Sequence, residues 1–92
     1  MEKLRLYAII SGRVQGVFFR VNTRNKASEL GLTGWVKNRW DGKVEVLCEG
    51  PKEKIDKMLE WLKKGPKYSK VTQVEHNFDV KEEGFQDFRI VH

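Results

Sequence analysis

Gly12-Arg13-Val14-Gln15-Gly16-Val17-Phe18-Phe19-Arg20 decides how the chain is read, because the residues before it alternate like a strand and those after it are spaced like a helix. Leu4, Leu6, Ala8 and Ile10 alternate with Lys3, Arg5, Tyr7 and Ile9, which predicts a strand over 3–11 with one face on a core. Thr23, Ala27 and Leu30 recur at spacings of four and three, with Arg24, Asn25, Lys26 and Glu29 as the polar side, so a short helix is predicted to start near Phe19 or Arg20. Gly31, just past the last periodic residue, is placed to end it in a left-handed cap. Between the two elements, paired glycines let the backbone turn and approach a ligand, and the N–H groups that follow stand where a helix opens. Such a loop suits an anion, and Arg20 adds a planar positive fork matched to phosphoryl oxygens. No Lys-Ser/Thr pair follows the second glycine, so this is not a nucleotide P-loop. An ordinary strand-to-helix connection with a surface arginine has the same letters, and the stretch alone does not separate the two.

Working outward, Leu32 to Asn38 predicts a second strand and Lys43 to Glu49 a third, with Val44, Val46 and Cys48 on one side and Asp41-Gly42 as the hairpin turn between them. Gly50-Pro51 opens a second helix, the proline being tolerated in the first turn where its missing N–H has no partner. Ile55, Met58, Leu59 and Leu62 give that helix an apolar stripe, and Gly65-Pro66 ends it. From Val71 the period returns to two, with Val74, His76, Phe78 and Val80 on one face. A turn at Glu82-Glu83-Gly84 then leads to a last strand through Phe85, Phe88, Ile90 and Val91. The order strand, helix, strand, strand, helix, strand, strand predicts an α+β fold: a split β-α-β sandwich whose antiparallel sheet carries both helices on one face.

The 92 residues suffice for one domain, 1–92, with one modest core. No apolar segment is long enough to span a bilayer, and the N-terminus lacks the layout of a signal peptide, so a soluble cytoplasmic protein without membrane partners is expected. One cysteine and two separated histidines offer neither an internal disulfide nor a recognisable metal site. The net charge of +5 admits a nucleic-acid partner or a surface that attracts small anions. Lys52, Lys54, Lys57, Lys63 and Lys64 cluster in the second helix, but Glu53, Asp56 and Glu60 lie among them, which makes a solvated helix face rather than a phosphate-tracking stripe.

The second informative stretch is Gly34 to Gly50, G-W-V-K-N-R-W-D-G-K-V-E-V-L-C-E-G, which sets Asn38 at the end of a strand just before a turn. An asparagine there ordinarily bonds local backbone. Taken with Q-G-V-F-F-R, the spacing to Thr23 and Ala27, L-G-L-T-G-W-V-K-N, D-G-K-V-E-V, K-K-G-P and the closing F-R-I-V, the chain resembles the acylphosphatase family over nearly its whole length. The resemblance implies a ferredoxin-like α/β sandwich, in agreement with the element order. It also implies an enzyme that hydrolyses acyl phosphates to carboxylate and inorganic phosphate with no metal or cofactor. By the same resemblance the backbone N–H groups of Gln15, Gly16, Val17, Phe18, Phe19 and Arg20 cradle the phosphate, the Arg20 side chain binds it, and Asn38 positions the attacking water. Asparagine is no general base at neutral pH, so the proton of that water is expected to pass to a substrate oxygen. Arg39 and Trp40 stand where many members carry small polar residues, often threonine, and Phe18 where many carry a second glycine; Arg39 is read as a solvated turn residue rather than a contact for anionic substrates. A monomer acting on a small-molecule acyl phosphate is expected.

Several residues carry less. His76, on the apolar face of its strand, is expected to be a buried or half-buried neutral histidine, and His92 is terminal. Trp35 and Trp61 read as core or sheet cover, Trp40 as a shield for the site mouth, and Cys48 as a small unreactive strand residue. RNA binding on the open sheet face is the rival class, disfavoured because Lys43-Val44-Glu45-Val46-Leu47-Cys48-Glu49 lacks the aromatic run such domains carry in their third strand. A third reading, a phosphate-holding domain within a larger assembly, is disfavoured by the complete set of strands.

Overall fold

A computed structural model describes residues 3–80 and 83–92. The chain runs β1 (Lys3–Arg13), α1 (Phe19–Glu29), β2 (Thr33–Asn38), β3 (Val44–Pro51), α2 (Lys52–Lys64), β4 (Lys70–Asp79) and β5 (Phe88–Ile90). This is the predicted order. One five-stranded sheet, ordered β4-β1-β3-β2-β5, carries both helices; the first four strands pair antiparallel, while β5 pairs parallel with β2 and makes the sheet mixed.

The period-two residues of the sheet meet the helix stripes in one core. Leu6, Ala8, Ile10, Val36, Val44, Val46 and Cys48 lie under Phe19 and Ala27 of α1 and Ile55, Met58, Leu59 and Leu62 of α2, all buried. Gly31 takes the left-handed conformation (φ +72) just past α1. Its N–H donates to Ser28 O (3.0 Å) and that of Leu32 to Ala27 O (2.8 Å), which uses the last carbonyls of the helix and turns the chain into β2. Among the described residues no helix is long and apolar enough to cross a membrane.

Several boundaries differ from expectation for physical reasons. Pro51 is the last residue of β3 and flanks α2 with extended geometry (φ −61, ψ 140), so the helix proper begins at Lys52. His76 is exposed, not buried: its register opposite Ala8 puts it on the helix side, but β4 is an edge strand and only Val71 and Val74 pack against the core. Phe78 is exposed for the same reason, and Val80 is exposed just past the end of the strand. A register shift between Ser11 and Gly12 lets Val71 and Val74 both pack inward although they are three apart. The last strand is only Phe88–Ile90, because the chain from β4 must cross to the opposite edge of the sheet. Of the turn predicted at Glu82-Glu83-Gly84, Glu82 lies outside the described residues. The N–H groups of Glu83 (2.7 Å) and Gly84 (3.1 Å) donate to the buried carboxylate of Glu49, and Gly34 N–H donates to Asp87 O (2.9 Å), so the crossing chain is tied down as it passes β3 and β2.

Candidate active site

The loop between β1 and α1 holds its shape through two left-handed residues. Gly16 has φ +73, which costs glycine nothing; Phe18 has φ 60 and ψ 24, where a side chain is strained. The Phe18 carbonyl receives two donors, Asn22 N–H (3.0 Å) and Asn22 Nδ2 (2.9 Å), and these fix the entry to α1. No side chain caps the helix. The N–H groups of Gly16, Val17, Phe18, Phe19 and Arg20 donate to no protein acceptor among the described residues, which leaves five consecutive donors at a helix opening.

Arg20, in the first turn of α1, is half-buried and makes no ion pair or hydrogen bond among the described residues. Arg5 pairs with Asp79 (3.1 Å) and Glu83 (3.0 Å), and Arg39 with Asp41 (3.1 Å). Asn38 is the last residue of β2, opposite Val44, and its Oδ1 is buried with no hydrogen-bond partner. It does not make the local backbone bond that an asparagine before a turn ordinarily makes.

Arg20 and Asn38 line one cavity of about 470 Å³, together with Val14, Gly16, Phe18, Phe19, Val21, Ile90 and His92. Of the six loop residues predicted as a phosphate cradle, Gly16, Phe18, Phe19 and Arg20 face this cavity, while Gln15 and Val17 do not. Val17 packs toward the core. Gln15 instead turns its side chain into the β2–β3 hairpin, where Nε2 donates to Arg39 O (2.8 Å) and Lys43 O (2.9 Å). Arg39 N–H donates to the same Lys43 carbonyl at 2.8 Å. One amide therefore ties the loop that carries Arg20 to the hairpin that carries Asn38.

Within the hairpin Arg39 folds back on Asp41, whose carboxyl it holds below the ordinary range by hydrogen bonding and charge. It does not line the cavity, and neither does Trp40, which is 93% exposed at the hairpin tip and shields nothing. Arg24 is exposed, as expected. Val14, Val21, Ile90 and His92 are lining residues that the sequence did not reveal. Ile90 and His92 arrive because β5 pairs in parallel with β2, Val36 opposite Ile90, and Val91 N–H donates to Val36 O (2.9 Å). Among the described residues no group of three or more His, Cys, Asp or Glu side chains is placed to hold a metal ion. Cys48 is buried in the core between the sheet and the helices, its thiol pushed up to about 12 by burial.

A half-buried guanidinium, N–H donors at a helix opening and a carboxamide oxygen, none with a partner among the described residues, can together hold a compact anion and orient a small polar molecule beside it. Comparison with known proteins shows what the chain as a whole is similar to. A family model described as acylphosphatase matches residues 6–90. An acylphosphatase of Acaryochloris marina is 50% identical over 84 residues, covering 91% of this chain and 86% of that protein. One of Pyrobaculum islandicum is 45% identical over 92 residues, covering 99% of this chain and 97% of that protein. The crystal structure of acylphosphatase from Bacillus subtilis superposes with a TM-score of 0.94 at 43% identity, covering 97% of this chain and 99% of that one.

Proposed function

The chain belongs to the acylphosphatase family, and from that premise we propose that it hydrolyses acyl phosphates by in-line attack of a water on phosphorus, without a metal. Arg20 and the N–H groups of the 15–20 loop hold the phosphoryl oxygens, and Asn38 steers the water. The observation that carries this reading is that Arg20 and Asn38, on different elements, line the same cavity, and the Arg20 guanidinium and the Asn38 Oδ1 have no partner among the described residues.

The chemistry asks for little beyond that. An acyl phosphate already carries a good leaving group, so neither a strong acid nor a metal is needed to expel it. The protein has to fix the phosphoryl group, spread its negative charge and bring water into line. A planar guanidinium and converging N–H donors serve the first two tasks. The carboxamide of Asn38 serves the third, since it both donates and accepts. As the water oxygen bonds to phosphorus, the phosphorus–oxygen bond to the acyl group breaks and the electron pair leaves with the carboxylate. The proton of the water passes to a phosphoryl oxygen of the substrate, because no neutral-pH base stands among the assigned groups.

Benzoyl phosphate hydrolysed in water labelled with ¹⁸O tests this directly. Label in inorganic phosphate and none in benzoate is the expected result, with turnover unaffected by a chelator. Label in the carboxylate would place the attack at carbon and remove the role given to Asn38. The rate should stay level with pH until the substrate's own ionisation is reached, and a bell with two enzyme pKa values would reveal a general base that this reading lacks.

The rival reading, a nucleic-acid platform on the open face of the sheet, gains nothing from the pairing seen there. Arg5 is tied to Asp79 and Glu83, Lys37 lies 3.8 Å from Glu45, and Tyr7 donates to Glu45. Basic groups balanced by carboxylates do not form a phosphate-tracking surface.

A further inference from the structure

The cavity is far larger than the group that its polar end would hold. A phosphoryl group occupies roughly three water volumes, on the order of 90 Å³, against about 470 Å³ here. The remainder is walled mainly by apolar side chains: Phe18 and Val21 on the α1 side and Ile90 on the β5 side, with Val14 buried at the base. Phe18, at the N-cap of the helix, and Val21, in its first turn, stand side by side along the cavity. Both are exposed, at 75% and 38%, and they form a ridge that also bounds a neighbouring groove of about 370 Å³ running to Pro66 and Tyr68.

In-line attack fixes which wall the acyl group meets. Water steered by Asn38 enters from the hairpin side, so the leaving carboxylate departs away from the hairpin. The walls left to it are those of α1 and β5. Among the described residues no Asp or Glu side chain lines the cavity, its guanidinium is the one assigned to the phosphate, and Asn38 and His92 are its other polar side chains. Arg39, the residue that could have recognised a negatively charged tail, is absent from the lining and bound to Asp41.

Building on the proposed hydrolysis, we propose that Phe18, Val21 and Ile90 form an acyl subsite that selects uncharged apolar acyl groups, aromatic ones above short aliphatic ones. A ring placed there stacks against Phe18 and covers Val21, both otherwise wet; a methyl group reaches neither well. The exposed phenyl ring of Phe18, held at a left-handed position where glycine would be free of strain, serves as the floor for that contact.

The test measures kcat/KM for benzoyl phosphate and for acetyl phosphate in the wild type, in Val21→Ser and in Phe18→Ala. The two anhydrides differ in intrinsic reactivity, and that difference cancels when each variant's benzoyl-to-acetyl ratio is divided by that of the wild type. The ratio is expected to fall about tenfold or more in each variant, the size of a lost apolar contact in a selective pocket. Competitive inhibition by benzoylphosphonate should weaken in parallel, while inhibition by acetylphosphonate moves much less. Val21→Ser leaves the left-handed loop residue alone, so it answers even where Phe18→Ala disturbs the loop. An unmoved ratio, with both substrates affected equally, overturns the subsite and leaves the proposed hydrolysis standing. A wild type that turns over neither substrate overturns the hydrolysis, and the subsite falls with it.

Discussion

The two ends of the β2–β3 ladder treat buried polar groups in opposite ways. At one end Glu49, opposite Thr33, is almost wholly buried, and its carboxylate receives two backbone N–H groups from the crossing chain. At the other end, five residues and roughly 17 Å along the strand, Asn38 opposite Val44 has a buried oxygen with no partner. In front of it stand a strained Phe18, and an Arg20 side chain and five N–H groups that find no partner among the described residues. Buried polar atoms are normally satisfied, and the exceptions gather where a ligand completes them. One end of the ladder holds the chain; under the proposed function the other is completed by substrate.

Removing groups from the open end gives the sharpest test of that contrast. Arg20→Ala should lower kcat/KM for benzoyl phosphate about 10³-fold, chiefly through KM, because a charge-assisted fork is lost from ground and transition state alike. Asn38→Ala should lower kcat about 10² to 10³-fold with KM nearly kept, the range for loss of one positioned polar group. Neither should reduce the stability measured by urea unfolding, since neither side chain makes a hydrogen bond or ion pair among the described residues. A variant that is inactive because it is unfolded would break the distinction between the two ends.

Gln15 sits between the cases, in the binding loop by sequence and in the hairpin by contact. Gln15→Leu removes both bonds to the Arg39 and Lys43 carbonyls while keeping similar bulk. Arg20 and Asn38 then lose their common brace, and kcat should fall about 10 to 10²-fold, in line with the sensitivity of in-line reactions to misplacement of about 1 Å. Inhibition by inorganic phosphate, which needs the loop but not the hairpin, should change little. Equal losses in phosphate binding and kcat would mean that Gln15 shapes the cradle itself.

At the closed end the effect should appear in stability alone. Glu49→Ala leaves the Glu83 and Gly84 N–H groups without their acceptor, which should cost about 2 to 3 kcal/mol, with kcat for benzoyl phosphate unchanged. Cys48 offers a reading without denaturant. Its thiol, pushed up to about 12, is protonated in the fold and free to ionise near 8.5 to 9 once the chain opens. A group whose pKa is raised by folding supports the fold below its unfolded value and loses that support as pH climbs toward the folded one. At pH 8, labelling of Cys48 should therefore track opening, and Glu49→Ala should speed it about 30-fold or more, the same free energy converted. Rapid labelling of the wild type would show a local route to the thiol.

The contrast was only half legible in the sequence. Element order followed from periodicity, and Arg20 and Asn38 from two long motifs that resemble a family. Glu49 was not found, because a glutamate alternating with Val46 and Cys48 reads as solvent-facing. The chain that covers it arrives from Glu83, thirty-four residues later. His76 was misplaced for the complementary reason: its period was right, but whether a helix covers an edge strand is decided by tertiary packing. Val21 and Ile90 carry no signal of a site at all, since their roles depend on where α1 and the parallel β5 come to rest beside Asn38.

The smallest expected effect concerns Phe18, where the two ends can be compared within a single residue. A left-handed backbone costs a non-glycine residue about 1 to 2 kcal/mol, so Phe18→Gly relieves strain. The more flexible unfolded glycine chain takes back about 0.5 to 1 kcal/mol of that gain. Since 75% of Phe18 is exposed, little core packing is lost. Net stability in urea should then rise by no more than about 1 kcal/mol, while the benzoyl-to-acetyl ratio of kcat/KM falls as in Phe18→Ala. A clear loss of stability would mean that the ring supports the fold and would move Phe18 to the closed kind of site. Gain in stability together with loss of selectivity would mean that the strain at this position serves the ligand.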